Sequence, residues 1–199
     1  MLCMAVPSNP ATLKTVIFGN ILESFSWTVF VRMISSIGAV RSLSIAGPLR
    51  IPCVAEILGN PSLGGVELSS DVNGDTLRSA VRLTQVQGAI YLRSAPSVWG
   101  GTAYHEAEVY GNRASQLKFF AQGPYNWAYM TAVADSNVIA PSGTDAVWVW
   151  SGMKDSNNYP YRGYTDLTLR RNTLTGGASG VAAIVESGAG YVLLRGEDN

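Results

Sequence analysis

The chain has 199 residues, enough for one well-buried core and short for two, so we expect a single domain over residues 1–199. Charged residues make up 14% of the chain, against about 25% in an ordinary soluble domain, and hydrophobic residues make up 47%. This balance excludes an intrinsically disordered chain. A formal net charge of zero excludes long-range steering of nucleic acid or of an anionic membrane.

The first quarter of the chain holds the one segment whose pattern predicts a helix. Ile17, Ile21 and Phe25 recur at four-residue spacing within the segment from Pro10 to Phe25. We therefore expect an N-terminal arm or a short helix within residues 1–26. Charged residues interrupt the apolar stretch that follows, so no membrane span is expected, and no secretory signal is seen.

From Trp27 onward, short apolar or alternating runs are separated by turn signals. Many short strands of this kind predict an all-β fold, an antiparallel β-sandwich of the jelly-roll type. Asn73-Gly74 predicts a type I′ hairpin turn, and Pro52 predicts an edge strand because it cannot donate to a strand ladder. The predicted strands are Trp27–Met33, Val40–Ala46, Ile51–Ile57, Val66–Ser70, Leu77–Leu83, Ala89–Leu92, Tyr104–Tyr110, Gln116–Ala121, Trp127–Val133, Ala146–Trp150, Thr165–Arg170, Val181–Val185 and Tyr191–Leu194.

Aromatic residues are concentrated in the second half of the chain. Trp148 and Trp150 share one face of a predicted strand, and Val147 and Val149 share the other. Because both faces are apolar, we expect the tryptophans to fill the interior of a sandwich or to meet a neighbouring copy. Flat rings beside polar residues also suit sugar binding. The residues of this predicted interface or glycan platform are Tyr125, Trp127, Tyr129, Trp148, Trp150, Tyr159 and Tyr161.

The sequence offers little for catalysis. His105 is the single histidine, and no Gly-x-Ser-x-Gly elbow accompanies it, so we expect a structural role. Glu106 and Glu108 lie on one face of a predicted strand, at a spacing that lets their carboxyls approach the separation used in glycoside hydrolysis. A solvent-facing strand accounts for the same pair. We therefore expect no enzymatic activity and keep a glycoside hydrolase as an alternative.

No cofactor or metal is expected. The segment Asp71–Asp75 alternates oxygen-bearing side chains as a calcium loop does, but its glycine position departs from the EF-hand pattern and a hairpin turn accounts for it. Arg78, Arg82, Arg170 and Arg171 are candidates for phosphate contacts. Solvated strand ends explain the same arginines, and the net charge does not support a nucleic-acid partner.

Low charge, many glycine turns and a surplus of apolar residues favour a structural subunit. Because the chain has few charged side chains to cover its surface, we expect it to associate with copies of itself. The composition is similar to that of jelly-roll coat proteins of small viruses and of phage fibre domains, which implies a virion or the host cytoplasm. A lectin-like carbohydrate-binding module is the first alternative, and a glycosidase built on Glu106 and Glu108 is the second.

Overall fold

All the regular structure that is described in this chain is β-strand. None of the described residues form a helix that could cross a lipid bilayer. The computed structural model describes the backbone of five early strands, together with residues 65–70, 76–96, 102–124, 127–154, 159–177, 179–185 and 189–199.

The strands are short and follow one another closely along the chain. They are β1 Leu2–Met4, β2 Leu13–Phe18, β3 Val29–Ile34, β4 Val40–Ala46, β5 Cys53–Leu58, β6 Val66–Ser70, β7 Thr76–Arg82, β8 Ala89–Ser94, β9 Ala103–Tyr110, β10 Arg113–Ala114, β11 Gln116–Ala121, β12 Gly123–Pro124, β13 Trp127–Asp135, β14 Val138–Ile139, β15 Val147–Ser151, β16 Met153–Lys154, β17 Pro160–Arg170, β18 Thr173–Leu174, β19 Val181–Val185 and β20 Gly190–Glu197.

The chain alternates between two long sheets whose neighbouring strands run parallel. Sheet A has the order β1-β3-β5-β7-β9-β13-β17-β20, and sheet B has the order β19-β15-β11-β8-β6-β4-β2. A third, short corner sheet contains β10, β14 and β18. Among the described strands, only the short β12 and β16 pair antiparallel, both with β17. Because each sheet gains one strand each time the chain returns to it, the fold is a parallel β-solenoid.

The predicted antiparallel jelly-roll sandwich is therefore wrong, although the all-β class is right. Alternation of apolar and polar residues is the same in parallel and antiparallel strands, so it does not reveal the direction of pairing. The predicted edge strand after Pro52 is also wrong, because β5 lies between β3 and β7. Within the predicted N-terminal helix, the described residues 13–18 form strand β2. The hairpin and the calcium-like loop at Asp71–Asp75 lie outside the described residues.

The core lies between sheets A and B and consists of aligned rows of like residues. Leu68, Leu92, Phe119 and Val149 pair in register across sheet B, and all four are buried. The parallel register stacks each apolar side chain on an equivalent one in the next coil, so the core is continuous along the solenoid axis. On β15, Val147 and Val149 fill the core, and the half-buried Trp148 and Trp150 lie on the outer face.

A ladder of asparagines closes the corner after each described strand of sheet A from β9 onward. Asn112 donates from Nδ2 to Oδ1 of Asn137 at 3.0 Å, and Asn137 donates likewise to Asn172 at 2.9 Å. Asn172 donates to Asn199 at 2.9 Å. Each Oδ1 also accepts the backbone N–H of the preceding ladder residue, and each Nδ2 also donates to a strand carbonyl. The side chains thus satisfy backbone groups that the corner removes from the sheets.

The second corner, between sheet B and sheet A, brings backbone segments into contact. A Cβ atom on Gly163 would overlap the carbonyl oxygen of Ala121, and one on Gly190 would overlap the carbonyl oxygen of Ser151. The backbone N–H of Gly163 donates to Ala189 across this corner at 2.9 Å. Only glycine lets the two sheets approach this closely.

Candidate functional site

The predicted aromatic platform is divided between the two sheets. Trp127 and Tyr129 lie on the outer face of sheet A, whereas Trp148 and Trp150 lie on the outer face of sheet B. Tyr159 is exposed just before β17, and the half-buried Tyr161 pairs through its backbone with β12 and β16. Tyr125 lies outside the described residues. The chain therefore presents two separate aromatic surfaces.

The aromatic surface of sheet A is a tyrosine row. Tyr104, Tyr129, Tyr164 and Tyr191 occupy equivalent positions on β9, β13, β17 and β20. The rings of Tyr104 and Tyr129 stack at 5.0 Å between centroids, with 7° between their planes. Trp127 lies beside the row, and its ring centre is 6.1 Å from that of Tyr129 and 5.8 Å from that of Tyr191. Tyr129 and Tyr164 are tilted by 47°, and Tyr104 and Tyr191 at the two ends of the row are 40% and 62% exposed.

Ion pairs occupy the outer face of sheet A beside the tyrosine row. Arg78 Nε lies 2.8 Å from Glu106, and Arg82 Nη2 lies 2.6 Å from Glu108. The two carboxylates proposed for glycoside hydrolysis are thus each bound by an arginine of the neighbouring strand. Arg78 and Arg82, two of the four arginines proposed for phosphate contact, are thus paired with carboxylates. These pairs leave the surface with little net charge.

At the end of sheet A, one carboxylate binds two arginines. Asp135 accepts hydrogen bonds from Arg171 at 3.0 and 2.5 Å, and Arg170 Nε lies 4.0 Å away. The hydrogen bond from Arg171 holds the pKa of Asp135 below its ordinary value, and Ser136 and Arg170 act in the same direction. Among the described residues, no group of three or more His, Cys, Asp or Glu side chains is arranged to hold a metal ion.

The single histidine lies inside the solenoid. His105 is 1% exposed, its Nε2 lies 2.7 Å from Ser79 Oγ, and its Nδ1 lies 3.0 Å from the carbonyl oxygen of Arg93. The carbonyl can only accept, so Nδ1 carries the proton and Nε2 accepts from the serine hydroxyl. Burial lowers the pKa of His105 to about 4, so the ring is neutral at pH 7. The hydrogen-bonded pair of His105 and Ser79 lies in the core, where each side chain satisfies a polar atom of the other.

The second aromatic surface is a groove on the outer face of sheet B, with a volume of about 620 Å³. Glu67, Tyr91, Lys118 and Trp148 form one row of equivalent positions across β6, β8, β11 and β15. Arg93, Phe120 and Trp150 form the next row. We call this surface the aromatic groove and define it by the lining residues Glu67, Tyr91, Lys118, Phe120, Trp148 and Trp150, together with Arg93, which lies beside the lining in the second row.

The rings of the aromatic groove meet edge to face. Tyr91 and Phe120 are 6.1 Å apart with 73° between their planes, and Phe120 and Trp150 are 5.6 Å apart with 71°. Trp148 and Trp150 are 5.6 Å apart and tilted by 40°. Rings in this arrangement cannot cover each other's faces as a parallel stack does. Aromatic surface therefore remains open along the groove.

Two cations lie over rings of the aromatic groove. Lys118 Nζ is 5.3 Å from the ring centre of Trp148, and Arg93 Cζ is 5.8 Å from that of Phe120. Within the described part of the chain, neither cation has an ion-pair partner, and Arg93 Nε has no hydrogen-bond partner. Burial raises the pKa of the Tyr91 hydroxyl, so it is a neutral donor at pH 7.

Sequence reasoning identified Trp148 and Trp150 but missed their partners in the groove. Glu67, Tyr91, Lys118 and Phe120 all lie within predicted strands, at positions that alternate with buried residues. The signal was therefore present as period two. Parallel register was the missing information, because it alone brings these residues of separate strands into two adjacent rows.

Comparison with known proteins adds no family to this geometry. No protein-family model, curated protein or solved structure matches the chain. The jelly-roll analogy that suggested a coat protein is overturned by the parallel solenoid, since it depended on an antiparallel sandwich.

Proposed function

We propose that this chain is a glycan-binding module and that a linear oligosaccharide binds in the aromatic groove. One observation carries the proposal: half-buried aromatic rings and polar side chains line the same groove of about 620 Å³. A sugar ring has apolar C–H faces and a hydroxyl rim. It therefore requires flat aromatic surface together with hydrogen-bonding side chains, which is what Trp148, Trp150, Tyr91, Lys118 and Glu67 offer.

The direction of the groove favours a chain of sugars over a single one. The four strands that carry it are spaced about 4.8 Å apart, so its rows extend roughly 14 Å along the solenoid axis. Each successive strand adds one side chain to each row because the register is parallel. A linear polymer that lies along the groove would therefore contact a different side chain at each strand.

The proposed activity is binding without catalysis. Among the described side chains of the groove, Glu67 is the one carboxylate, whereas glycoside hydrolysis uses two. Glu106 and Glu108 lie on the other sheet and are held by Arg78 and Arg82.

The test is a glycan array followed by calorimetric titration of the best oligosaccharide. We expect Trp148→Ala to weaken binding about 30-fold, which corresponds to about 2 kcal/mol, because the ring is a central contact. Trp127→Ala is the matched control, since it removes the same ring from the outer face of sheet A. It should leave the dissociation constant within about twofold.

Two results would overturn the proposal. One is the absence of binding to any linear glycan by the folded chain. The other is a weaker affinity in Trp127→Ala with unchanged affinity in Trp148→Ala, which would move the ligand to the tyrosine row.

A further inference from the structure

We infer that the glycan of the aromatic groove is acidic, and that Lys118 and Arg93 hold the carboxylate of a uronic acid unit. This inference rests on the proposed function and adds the substrate class to it. It starts from a difference in how the two sheets neutralise their cations.

On sheet A, three arginines of the outer face have carboxylate partners on a neighbouring strand, and Arg162 lies over the ring of Trp127. The three pairs are Arg78 with Glu106, Arg82 with Glu108 and Arg195 with Asp166. On sheet B, Arg93 and Lys118 lie over aromatic rings, and neither forms an ion pair with a carboxylate of the described residues. The two rows of the groove thus hold two cations against one carboxylate, Glu67, which leaves one positive charge uncompensated.

The spacing of the two cations suits one carboxylate. Arg93 on β8 and Lys118 on β11 are diagonal neighbours, because Arg93 pairs with Phe120 and Lys118 pairs with Tyr91. Strand geometry puts their Cα atoms about 8 Å apart, within the reach of two long side chains that converge on one anion. Arginine offers a planar fork that matches a carboxylate, and lysine adds a point charge.

Glu67 limits where the acidic unit can lie. It lies two strands from Lys118 in the same row and is the diagonal neighbour of Arg93 on the adjacent strand, and it forms an ion pair with neither cation in the structure. Its negative charge repels a second uronate at that end of the groove. The favoured ligand therefore carries its carboxylate over β8 and β11 and a neutral sugar beside β6.

The experiment compares polymers that differ only in charge. Oligosaccharides of polygalacturonate, alginate and hyaluronan are titrated into the full chain, each beside its carboxyl-reduced form, in which CH₂OH replaces the carboxylate. We expect the acidic form of at least one pair to bind about tenfold tighter or more, with an advantage that decreases from 50 to 500 mM salt.

Charge-removing variants locate the effect. Lys118→Met and Arg93→Met keep an apolar stem over the ring, and each should bring the affinities for the acidic and the carboxyl-reduced form close together. Arg162→Met is the matched control, because it removes a cation that lies over Trp127 on sheet A, 6.0 Å from the ring centre. Thermal unfolding confirms that each variant is folded.

The outcomes separate this inference from the function it rests on. Equal binding of acidic and carboxyl-reduced forms would overturn the inference and leave glycan binding intact. An acidic preference that survives in both groove variants but disappears in Arg162→Met would also overturn it. If neither form of any pair binds and the array is blank as well, the proposed function fails together with the inference.

Discussion

Both outer faces of the solenoid carry rows of aromatic rings, yet the two faces use them differently. On sheet A, Tyr104 and Tyr129 stack face to face at 5.0 Å, and Arg78 beside them pairs with Glu106. On sheet B, Phe120 meets its neighbours edge to face, and Lys118 and Arg93 form no ion pair with a described carboxylate. Most charges of the first face are neutralised within the chain, whereas the two cations of the second face are not.

The comparison shows that aromatic content alone does not identify a binding surface. Parallel register stacks like residues on like residues, so a row of tyrosines stabilises the solenoid in the way that its leucine rows do. A row of unlike residues, such as Glu67, Tyr91, Lys118 and Trp148, cannot stack in this way. Mixed rows are therefore where a solenoid of this kind is expected to bind a ligand.

The largest loss of stability is expected at the corner that the ladder of asparagines closes. Asn137→Ala removes four hydrogen bonds of a fully buried side chain and leaves buried backbone groups of the adjacent coils without partners. Urea unfolding should show a loss of about 3–5 kcal/mol. Asn199→Ala, at the exposed end of the same ladder, is the control and should cost clearly less. Equal losses would mean that the ladder does not hold the coils.

A pH titration of stability tests the core beneath sheet A. Because the pKa of His105 is about 4 when folded and about 6.5 when unfolded, the unfolded chain binds the extra proton between these values. Stability is therefore fully present above pH 6.5 and falls by up to about 3 kcal/mol as the pH approaches 4. In His105→Gln the decrease between pH 7 and 4.5 should largely disappear. Asp135, whose pKa is lowered, adds its loss at lower pH.

Truncation within the tyrosine row should affect stability and spare binding. Tyr129→Ala removes ring contacts with Tyr104, Tyr164 and Trp127, so we expect the free energy of unfolding to fall by about 2 kcal/mol. Tyr129→Phe keeps the ring and should cost less than about 0.5 kcal/mol. Calorimetry should give the same glycan affinity for both variants. A large loss of affinity in Tyr129→Ala would contradict the division of roles between the faces.

The smallest effect is expected at the acidic end of the groove. Glu67→Gln removes a charge that repels a second uronate, so affinity for an uninterrupted polyuronate should rise about twofold to fivefold. Affinity for the carboxyl-reduced polymer should stay constant. A decrease for the acidic polymer would show that Glu67 contributes a contact instead of repulsion.

Strand positions were readable from the sequence, whereas the way strands pair was not. Alternating polarity placed Val40–Ala46, Val66–Ser70, Gln116–Ala121 and Val181–Val185 with the bounds that the structure has. Glycine and asparagine signals were interpreted as turns between strands, and those at Gly111 and Asn112 mark a corner of the solenoid. Pairing direction depends on contacts between distant segments, which local patterns do not encode.

The ladder of asparagines was not predicted from the sequence because its repeat is irregular. From Thr84, whose backbone N–H donates to Asn112, the steps along the ladder are 28, 25, 35 and 27 residues. Each step varies with the length of the loops between strands, so no fixed period appears. The recurring local sign is a residue with positive φ directly before each ladder position: Leu83, Gly111, Ser136, Arg171 and Asp198. Of these five residues, only Gly111 indicates a positive φ from the sequence alone, because glycine adopts that conformation without strain.

For the aromatic residues, sequence reasoning gave the shared face of Trp148 and Trp150 but left open whether that face is interior, interface or ligand platform. Valines and tryptophans are both apolar, and nothing local distinguishes the side that faces the core. In the structure Val147 and Val149, each 0% exposed, face the core, and the half-buried indoles lie on the outer face. Association with copies of itself stays a prediction.

The most direct test of the difference between the two faces follows the indole N–H resonances of the tryptophans by ¹H–¹⁵N NMR. The full chain is titrated with the uronate oligosaccharide that binds best, after single replacements have assigned Trp127, Trp148 and Trp150. We expect the resonances of Trp148 and Trp150 to shift with saturation while that of Trp127 stays in place. A saturable shift of Trp127, with Trp148 and Trp150 unmoved, would contradict the assignment of the ligand to the aromatic groove.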